Sequence, residues 1–566
     1  MDTIFDILIL IFRVALPIAL ALLFLSLLHS CLKKAQRISL ARLCIRGTQN
    51  SFEIKGRECS LGRSKICDVR LNIPSISRRH AVLNFSEDYG FRISTVNDSE
   101  IYVNGIRVDG FAYLQQGDVI EIGGVEITVE PPLFDDLASN SKSKRNKGTF
   151  LQMLLLSVSQ VIVLSELLIH YSDESVLSIP LVFIGLMAIE WVYYLIFHSS
   201  ENMHVEIIGF LLTTFGFAVA ASAMPSSLVK QFISFLLGLF IFIACRYILR
   251  NIELTMKLRY VLAVATFALF AVNLLFGKNI NGAKNWIAIG GVTVQPSELL
   301  KFAFIFVGAS TLDRLLAKRN VILFLVYAGG CLGALALMKD FGTAAIYFAT
   351  ALVIMFMRSG DIKIITAVTA AVGVAAVLVA NFVPYVHNRF ATYRHAWEYA
   401  SDKGYQQTRT MMAIGSGGLF GVGGGEGNLD NVAASDTDLV FGILCEEWGI
   451  IAAVALVMCF VLLALYTWRR IPAANSSFYA IAACAATSLY IVQISLNIFG
   501  STDLLPLTGV TMPFISNGGS SMMASFALLS FVKAVGENCN KPEYINDGGY
   551  DGYYDEYDYD YEGVDA

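Results

Sequence analysis

The sequence predicts an α-helical polytopic membrane protein with about 13 transmembrane helices and an all-β sandwich inserted near its N-terminus. The 566-residue chain is 55% hydrophobic and only 15% charged, whereas a soluble protein carries about 25% charged residues. Its mean hydropathy is +0.60. The apolar residues come in runs of about 20, the length that crosses a bilayer. One stretch, 42–131, instead alternates short β-branched runs with turn signals.

The first apolar run, IFDILILIFRVALPIALALLFLSLLHS, predicts an N-terminal transmembrane anchor over 1–34. It is too long for the apolar core of a signal peptide. Three basic residues follow it, Lys33, Lys34 and Arg37. By the positive-inside rule, the N-terminus then lies outside and residue 35 onward lies in the cytoplasm.

The stretch 42–131 contains the runs SFEI, VRLNI, AVLNF, FRIS, IYVNGIRV and VIEIGGVEITVE. Short strands joined by turns at regular spacing predict a β-sandwich. Within it stand Gly62-Arg63, then Ser77-Arg78-Arg79-His80, then the hairpin turn Val103-Asn104-Gly105. This pattern resembles the forkhead-associated (FHA) domain, which binds phosphothreonine peptides.

The FHA resemblance implies that Arg63, Ser77 and Arg78 bind the phosphate, while His80 braces the loop from inside. The chemistry agrees, because a phosphate dianion favours an Arg fork, a hydroxyl donor and a second cation. The family usually has Asn-Gly shortly before the V-N-G turn, where this chain has Ser99-Glu100. The alternative is a small sandwich with an ordinary surface Arg and a core His.

A basic linker, 132–149, leads into a series of apolar spans. The spans lie near 150–170, 177–198, 204–223, 229–249, 258–277, 297–316, 321–338, 342–357, 362–383, 438–466, 477–500 and 518–536. Counted from the linker, the loops that contain Arg246 to Arg259, Arg314 to Arg319, and Arg469-Arg470 are all cytoplasmic, as the positive-inside rule requires. The segment 384–437 is then the longest extracellular loop, and the acidic tail 538–566 is predicted to be cytoplasmic and disordered.

Four sequence clusters meet on the predicted outer side. They are NGAKNWIAIGGVTVQPSELLKFA (281–303), MKDFGTAA around Asp340, the loop from RHAWEYASDKGYQQTRTMMAIGSGGLFGVGGG to DTDLVFGILCEEWG, and LLPLTGVTMPFISNGGSSMM (504–523). Together they resemble the SEDS family (shape, elongation, division and sporulation), which includes FtsW, RodA and SpoVE. The resemblance implies a ten-helix core over 199–537, with 150–198 as two extra helices.

SEDS proteins polymerise peptidoglycan glycan strands from lipid II beside a class B penicillin-binding protein. The reaction joins a sugar hydroxyl to an anomeric carbon and releases a lipid diphosphate, so it needs a base near the hydroxyl. The resemblance places this catalytic role on Asp402, at the start of the long outer loop. The family often reads D-P-x-G-x-G-Y-Q where this chain has the shorter Asp402-Lys403-Gly404-Tyr405-Gln406. Glu398 is the alternative base.

The remaining predicted substrate-binding residues lie in the same clusters: Lys284, Trp286, Gln295, Glu298, Lys301, Asp340 and Arg409. Glu298 and Lys301 are three residues apart after Pro296, so they share one helix face. Intramembrane charges usually pair and face a polar cavity. This pair is either structural or also shapes the substrate cavity. Lys284 and Arg409 either meet the diphosphate or anchor the interface, and Trp286 suits an aromatic belt.

Two other functions fit parts of the sequence. Intramembrane Glu298 and Asp340 with glycine-interrupted spans would also suit a lipid II flippase or transporter. A scaffold that recruits phosphorylated proteins through the FHA region is a third reading. The partners implied are lipid II, a class B penicillin-binding protein, and a phosphothreonine protein linked to a Ser/Thr kinase. No nucleic-acid partner is expected.

No cofactor is assigned from the sequence. The 10 cysteines show no CxxC or paired metal spacing, which argues against a disulfide framework or a zinc site. Diphosphate chemistry commonly uses a divalent cation such as magnesium, and this alternative stays open. The sequence does not distinguish division, elongation and sporulation.

Overall fold

A computed structural model describes the chain over 2–32, 41–130, 147–171, 177–198, 203–280, 283–289, 292–313, 318–359, 362–382, 384–474 and 476–537, except 49, 55–57, 66, 87–89 and 97–98. Most of the predicted basic linker and the whole acidic tail lie outside the described residues.

Each of the predicted apolar spans corresponds to one long helix. Within the described ranges, the helices of 18 residues or more are α1 (Asp2–Cys31), α2 (Lys147–His170), α3 (Ser178–Phe197), α4 (His204–Ala223), α5 (Leu228–Arg250), α6 (Ile252–Phe276), α7 (Pro296–Asp313), α8 (Lys318–Leu337), α9 (Phe341–Ser359), α10 (Ile362–Phe382), α13 (Val440–Arg470), α14 (Ser477–Ser501) and α15 (Gly519–Glu537). Ten helices in this part of the chain are long and apolar enough to cross a membrane.

Two shorter helices lie in the predicted outer loop, α11 (Pro384–Thr392) and α12 (Tyr405–Gly417). The glycine-containing stretch MMAIGSGG is therefore the second half of a helix and its C-terminal end, and not a span. Gly418 ends the helix with a φ of 55°, a conformation that glycine adopts without strain.

Local sequence explains several helix starts. Helix α7 begins at Pro296, as predicted from the preference of proline for the first helical turn. The Asn251 side chain accepts a hydrogen bond from the amide of Leu254 at the start of α6, and Ser476 accepts one from Phe478 at the start of α14. Such side-chain caps satisfy amides that have no partner inside the helix.

The helical part packs around α4, whose apolar window is completely buried. Helices α2, α5, α13 and α15 all contact it. Helices α1 and α2 also pack on each other, with Gln152 near the start of α2 donating to Ser26 and Ser30 near the end of α1. At the other end of this pair, Arg13 of α1 lies beside Glu166 of α2. The two helices therefore form an antiparallel α1–α2 hairpin.

The inserted region is a sandwich of two sheets around one apolar core. The first sheet has the order β2-β1-β11-β10-β7-β8 and the second β4-β3-β5-β6-β9. Their strands are β1 (Ala41–Ile45), β2 (Ser51–Ile54), β3 (Glu58–Gly62), β4 (Val69–Arg70), β5 (Ala81–Ser86), β6 (Gly90–Thr95), β7 (Ile101–Val103), β8 (Ile106–Arg107), β9 (Phe111–Leu114), β10 (Val119–Ile122) and β11 (Val125–Glu130). The first and last strands, β1 and β11, pair directly, with Arg42 opposite Glu130.

A small antiparallel sheet, not predicted from the sequence, joins α6 to α7. Its strands, in order, are β12 (Lys278–Ile280), β13 (Ala283–Ile289) and β14 (Val292–Val294). Trp286 lies on β13, opposite Lys278, and is half-buried. This sheet delivers the first outer sequence cluster to the end of α7.

Candidate functional site

A buried polar network surrounds Asp340, between α8 and α9. One carboxylate oxygen accepts hydrogen bonds from Asn285 at 2.9 Å, Gln295 at 3.2 Å and Ser297 at 3.4 Å. The other accepts from the amide of Thr343 at 3.2 Å, so Asp340 also caps the start of α9. The network joins two clusters that are separate in the sequence, 281–303 and the one around Asp340.

The predicted Glu298–Lys301 pair is confirmed as an ion pair. The Nζ of Lys301 lies 2.8 Å from both carboxylate oxygens of Glu298 and 3.0 Å from the amide oxygen of Gln493 on α14. Lys301 is 1% exposed and Glu298 4% exposed. Gln493 in turn donates to the carbonyl of Thr511 at 2.7 Å. The pair therefore ties α7 to α14 and to the connection that precedes α15.

Asp402 lies on the surface, at the turn before α12. Its carboxylate is exposed, and no hydrogen bond or ion pair from another described residue reaches it. The turn around it is held by the backbone. The amide of Asp402 donates to Tyr399 at 3.0 Å, and its carbonyl accepts from Tyr405 at 3.2 Å. A methyl group at Gly404 would collide with the carbonyl of Ala396, so this close approach requires glycine.

A second carboxylate fixes the stretch before Asp402. Asp503, in the connection between α14 and α15, accepts hydrogen bonds from the amides of Arg394 at 3.1 Å and Ala396 at 3.3 Å. Tyr393 adds a bond to the carbonyl of Leu504 at 3.2 Å. The loop that carries Asp402 is thus attached to the fourth sequence cluster.

The other predicted substrate-binding residues have local contacts. Glu398 is exposed and pairs with His395 at 3.0 Å. The ammonium of Lys284 donates to the carbonyl of Leu274, in the last turn of α6, at 2.6 Å. Arg409 is exposed and its guanidinium stacks on the ring of Tyr405 at 5.1 Å. Among the contacts of the described residues, none joins Asp402 or Arg409 to the Asp340 network.

Helix α13 is broken at Gly449, where φ is 78° and ψ is 171°. The glycine-rich segment, which we define as 418–427, fills the break. In a continuous helix, the carbonyls of Glu446 and Glu447 would accept hydrogen bonds from the amides of Ile450 and Ile451. Here all four of these backbone groups bond to the glycine-rich segment instead. The four bonds are Val422 N–H to Glu446 at 2.8 Å, Gly423 N–H to Glu447 at 3.0 Å, Ile450 N–H to Gly418 at 3.0 Å and Ile451 N–H to Leu419 at 3.4 Å.

The side chain of Glu446 extends this attachment. Its two oxygens accept from the amides of Asn428 at 3.1 Å and Leu429 at 3.0 Å. Buried backbone groups must find partners, and non-helical backbone inside a membrane protein is tolerated only when its polar groups are satisfied. The break in α13 and the glycine-rich segment are therefore one structural unit.

The candidate phosphopeptide site lies on two neighbouring loops of the sandwich. Arg63, Ser77 and Arg78 are all exposed. The amide of Arg63 donates to the carbonyl of Ser77 at 3.0 Å, and that of Ser64 donates to Arg78 at 3.0 Å. A Cβ at Gly62 would lie 2.6 Å from the carbonyl oxygen of Arg78, so glycine permits the two loops to meet. The structure brings the three predicted phosphate-binding residues together.

His80 is buried, as predicted, and connects three parts of the sandwich. Its Nδ1 accepts from the amide of Ser77 at 3.2 Å, and its Nε2 lies 2.9 Å from the carbonyl of Glu100. Because a carbonyl can only accept, Nε2 carries the proton. The hydroxyl of Ser99 is used locally, in a bond to the carbonyl of Val96. Glu100 pairs with Arg107 at 3.3 Å.

Several residues of these sites were not singled out from the sequence. They are Asn285, Ser297, Gln493, Asp503 and Glu446. Gln493 lies within the apolar run LYIVQISLN, where a polar residue is a signal in itself. Asp503 has no such signal. Within the described ranges, no group of three or more His, Cys, Asp or Glu side chains could hold a metal ion.

Comparison with known proteins agrees with this architecture. Residues 202–541 match the family model FTSW_RODA_SPOVE, described as cell cycle protein, and residues 59–123 match the FHA domain model. "Probable peptidoglycan glycosyltransferase FtsW" of Coxiella burnetii is 31% identical over 271 residues, covering 46% of this chain and 73% of the relative. "Stage V sporulation protein E" of Bacillus subtilis is 31% identical over 280 residues, covering 46% and 74%.

A solved structure described as "Structural coordination of polymerization and crosslinking by a peptidoglycan synthase complex" contains a chain of similar fold. It has a TM-score of 0.53 and 24% identity, and the match covers 60% of this chain and 99% of that one. The fold and the sites define a multi-pass membrane protein with an FHA sandwich inserted between its first two helices. The chain belongs to the FtsW/RodA/SpoVE family.

Proposed function

We propose that this protein is a peptidoglycan glycosyltransferase, which polymerises lipid II into glycan strands at the outer face of the bacterial plasma membrane. Membership of a family whose relatives are named peptidoglycan glycosyltransferases carries the proposal. The buried network around Asp340 supports it, because it joins the first two of the four outer sequence clusters on which the family resemblance rests. A flippase gains no comparable support.

In the proposed reaction, the hydroxyl oxygen of the acceptor sugar attacks the anomeric carbon of the donor, and the bond from that carbon to the lipid diphosphate breaks. Asp402 accepts the hydroxyl proton. Its carboxylate is exposed and free of partners among the described residues, whereas Glu398 is paired with His395. Asp402 is therefore the better candidate for the base.

Cations on the outer clusters stabilise the departing diphosphate. Arg409 is the stronger candidate, since it is exposed on the helix that begins three residues after Asp402. Lys284 must first give up its bond to Leu274. Four other predicted residues are buried, so we assign them to shaping the wall of the substrate cavity: Gln295, Asp340, Glu298 and Lys301. Trp286 contributes an aromatic surface at the membrane interface.

The proposed topology places the FHA sandwich in the cytoplasm and the 384–437 loop outside. The α1–α2 hairpin supports this arrangement. Its Arg13 end contacts the glycine-rich segment of the outer loop, while the sandwich is inserted at its opposite end, between Cys31 and Lys147. The predicted boundaries, with the anchor at 1–34 and the enzyme core at 199–537, fit the same arrangement.

We assign the FHA sandwich to recognition of a phosphothreonine protein, which links polymerisation to a Ser/Thr kinase. Exposed Arg63, Ser77 and Arg78 supply the charge and hydrogen bonds that a phosphate needs. A class B penicillin-binding protein is the proposed partner for crosslinking. The similar fold of a chain in a peptidoglycan synthase complex is consistent with such a partner.

The test is glycan formation by the purified protein. The full chain, alone and with its class B penicillin-binding protein, is incubated with labelled lipid II, and products are separated by gel electrophoresis. We expect polymer whose length exceeds the disaccharide unit. Transfer of labelled lipid II across vesicles without polymer would instead support the flippase alternative and contradict the proposal.

A further inference from the structure

The glycine-rich segment has a third neighbour besides its own loop and the break in α13. This neighbour is the α1–α2 hairpin, which lies outside the region 202–541 that matches the family model. The guanidinium of Arg13 donates to the carbonyl of Val422. Its Nε lies 3.8 Å from a carboxylate oxygen of Glu166, which is 4% exposed.

A second contact lies at the end of α2. The Nδ1 of His170 lies 2.8 Å from a carboxylate oxygen of Glu426. Tyr171 follows and donates to the carbonyl of Ser222 on α4 at 3.4 Å. Burial raises the pKa of Tyr171, and the carboxyls of Glu447, Asp430 and Glu426 raise it further. Carboxyl groups from the outer loop and from the first half of α13 therefore lie near this end of the hairpin.

Three glycines of the segment lie so close to the α1–α2 hairpin that an added Cβ would require a neighbouring side chain to shift. A Cβ at Gly423, where φ is 124°, would lie 2.7 Å from the Arg13 guanidinium. A Cβ at Gly425, where φ is 84°, would lie 2.7 Å from the His170 ring. One at Gly424 would lie 3.0 Å from Trp448 of α13 and 3.2 Å from Leu167 of α2. Three consecutive glycines thus each face the α1–α2 hairpin.

We propose that the α1–α2 hairpin is a positioning element for the polymerising site, with Arg13, Glu166 and His170 as its positioning residues. The inference rests on the proposed function. Helix α12 connects Asp402 at one end to the glycine-rich segment at the other. Contacts with the hairpin hold that segment in the break of α13, and the segment in turn holds the C-terminal end of α12. Because Asp402 lies just before the N-terminal end of α12, its position depends on where this helix is held.

Arg13 is suited to this task because it serves two partners at once. It neutralises Glu166, which would otherwise be a buried charge, and it satisfies a carbonyl of the segment. A lysine at position 13 keeps the charge and one donor, whereas glutamine loses the charge. The two substitutions therefore separate the role of the charge from that of the bulk of the side chain.

The experiment compares Arg13→Gln, Arg13→Lys and Gln152→Leu in the full chain. Gln152 is the matched control, because it bonds α1 to α2 and to His204 at the opposite end of the hairpin. Two quantities are measured: backbone hydrogen exchange of a peptide spanning 418–428, and the kcat and KM of polymer formation from lipid II. Thermal unfolding in detergent monitors folding of each variant.

We expect Arg13→Gln to accelerate exchange in 418–428 and to lower kcat by about 10- to 100-fold, because a shift of about 1 Å at a reacting group has such a cost. KM for lipid II should change much less. Arg13→Lys should restore most of the rate. Gln152→Leu should leave both exchange in 418–428 and kcat near wild type.

Other outcomes overturn the proposal in distinguishable ways. Unchanged exchange in Arg13→Gln means that the hairpin does not hold the segment. Faster exchange with normal kcat means that the segment does not position the base. An equal loss of kcat in Gln152→Leu and Arg13→Gln means that the loss comes from general weakening of α1–α2 packing and not from the contact of Arg13 with the segment. If the wild type forms no polymer, the proposed function fails and the positioning role falls with it, while exchange still reports whether the contact exists.

Discussion

The amide of Val422 donates to the carbonyl of Glu446 at 2.8 Å, in the place that the amide of Ile450 would take in a continuous helix. Two motifs that are separate in the sequence are therefore joined by backbone hydrogen bonds into one structural unit. They are the glycine-rich segment and the E-E-x-G motif at 446–449. Glycine is required at Gly421 and Gly449 because a Cβ at either position would collide with a backbone carbonyl across the break, that of Glu447 or that of Leu419.

Gly449→Ala should destabilise the protein by at least about 2 kcal/mol, since alanine is strained at a φ of 78° and its methyl group would collide with the carbonyl of Leu419. Thermal unfolding in detergent measures the loss. The matched control is Gly415→Ala in α12, where nothing lies within 4 Å of the added Cβ. That variant should be neutral or slightly stabilised. Equal behaviour of the two variants would contradict the proposed role of the break.

Asp402→Asn should lower the rate of glycan polymerisation by about 10²–10⁴-fold, the usual effect of removing a general base. Expression and thermal stability should be unchanged, because the carboxylate is exposed. The assay uses labelled lipid II, with protein levels measured in parallel. Glu398→Gln is the control and should remain active. The opposite result would assign the base to Glu398, and activity in both variants would exclude both carboxylates as the base.

Lys301→Ala should reduce stability by about 3–5 kcal/mol, because it leaves Glu298 buried without its cation. The amide oxygen of Gln493 also loses its donor. Glu298→Gln combined with Lys301→Met removes both charges and should be closer to wild type. Expression level and melting temperature in detergent test this order. A stable Lys301→Ala protein would show that water or another cation replaces the lysine.

Arg63→Ala and Arg78→Ala should each weaken phosphothreonine-peptide binding by about 10- to 100-fold, the loss of one charge-assisted hydrogen bond. Fluorescence anisotropy with the full chain in detergent measures the affinity. Arg92→Ala is the control, because its guanidinium packs 5.2 Å from the ring of Phe111. Binding that does not depend on phosphorylation of the peptide would rule out the FHA role.

The topology is tested with added cysteines. Ser401→Cys should react with a membrane-impermeant maleimide from outside the cell, whereas Asp109→Cys, at the hairpin of the sandwich, should react only after lysis. Both positions are exposed, so accessibility depends on the side of the membrane. The parent chain gives the background of its own cysteines. Labelling of Asp109→Cys from outside would reverse the proposed orientation.

Much of the fold could be predicted from the sequence because the membrane spans and the strand hairpins are local signals. The positions of all the long helices, and the hairpins at 101–107 and 119–130, follow from hydropathy and turn residues. Strands β1, β3 and β9 were missed. Strand β3 (ECSLG) has no clear alternation, and β1 (ARLCI) follows directly on the basic residues after α1. Only the pairing of β1 with β11 joins strands that are distant in sequence.

The site could be predicted where interacting residues are close in the sequence, as Glu298 and Lys301 are. It was not predictable where partners come from different helices. Nothing local marks Gln493 as a partner of Lys301, or Asp503 as an anchor for Arg394 and Ala396. The role of Arg13 could not be predicted for the same reason. In the sequence it is a single charge in an apolar run, and its partners, Glu166 and Val422, lie far along the chain.

The pairing of β1 with β11 bears on how the α1–α2 hairpin can form at all. The chain between these helices, 33–146, would be a long loop if it were unfolded. The sandwich brings its entry and exit to adjacent strands, about 5 Å apart. Closure then involves only the short connections on either side. Since each halving of a loop saves about 0.6 kcal/mol of chain entropy, folding of the sandwich favours helix docking by roughly 1 kcal/mol. Replacing the sandwich with a short flexible linker should therefore cost little of the free energy of docking α1 on α2.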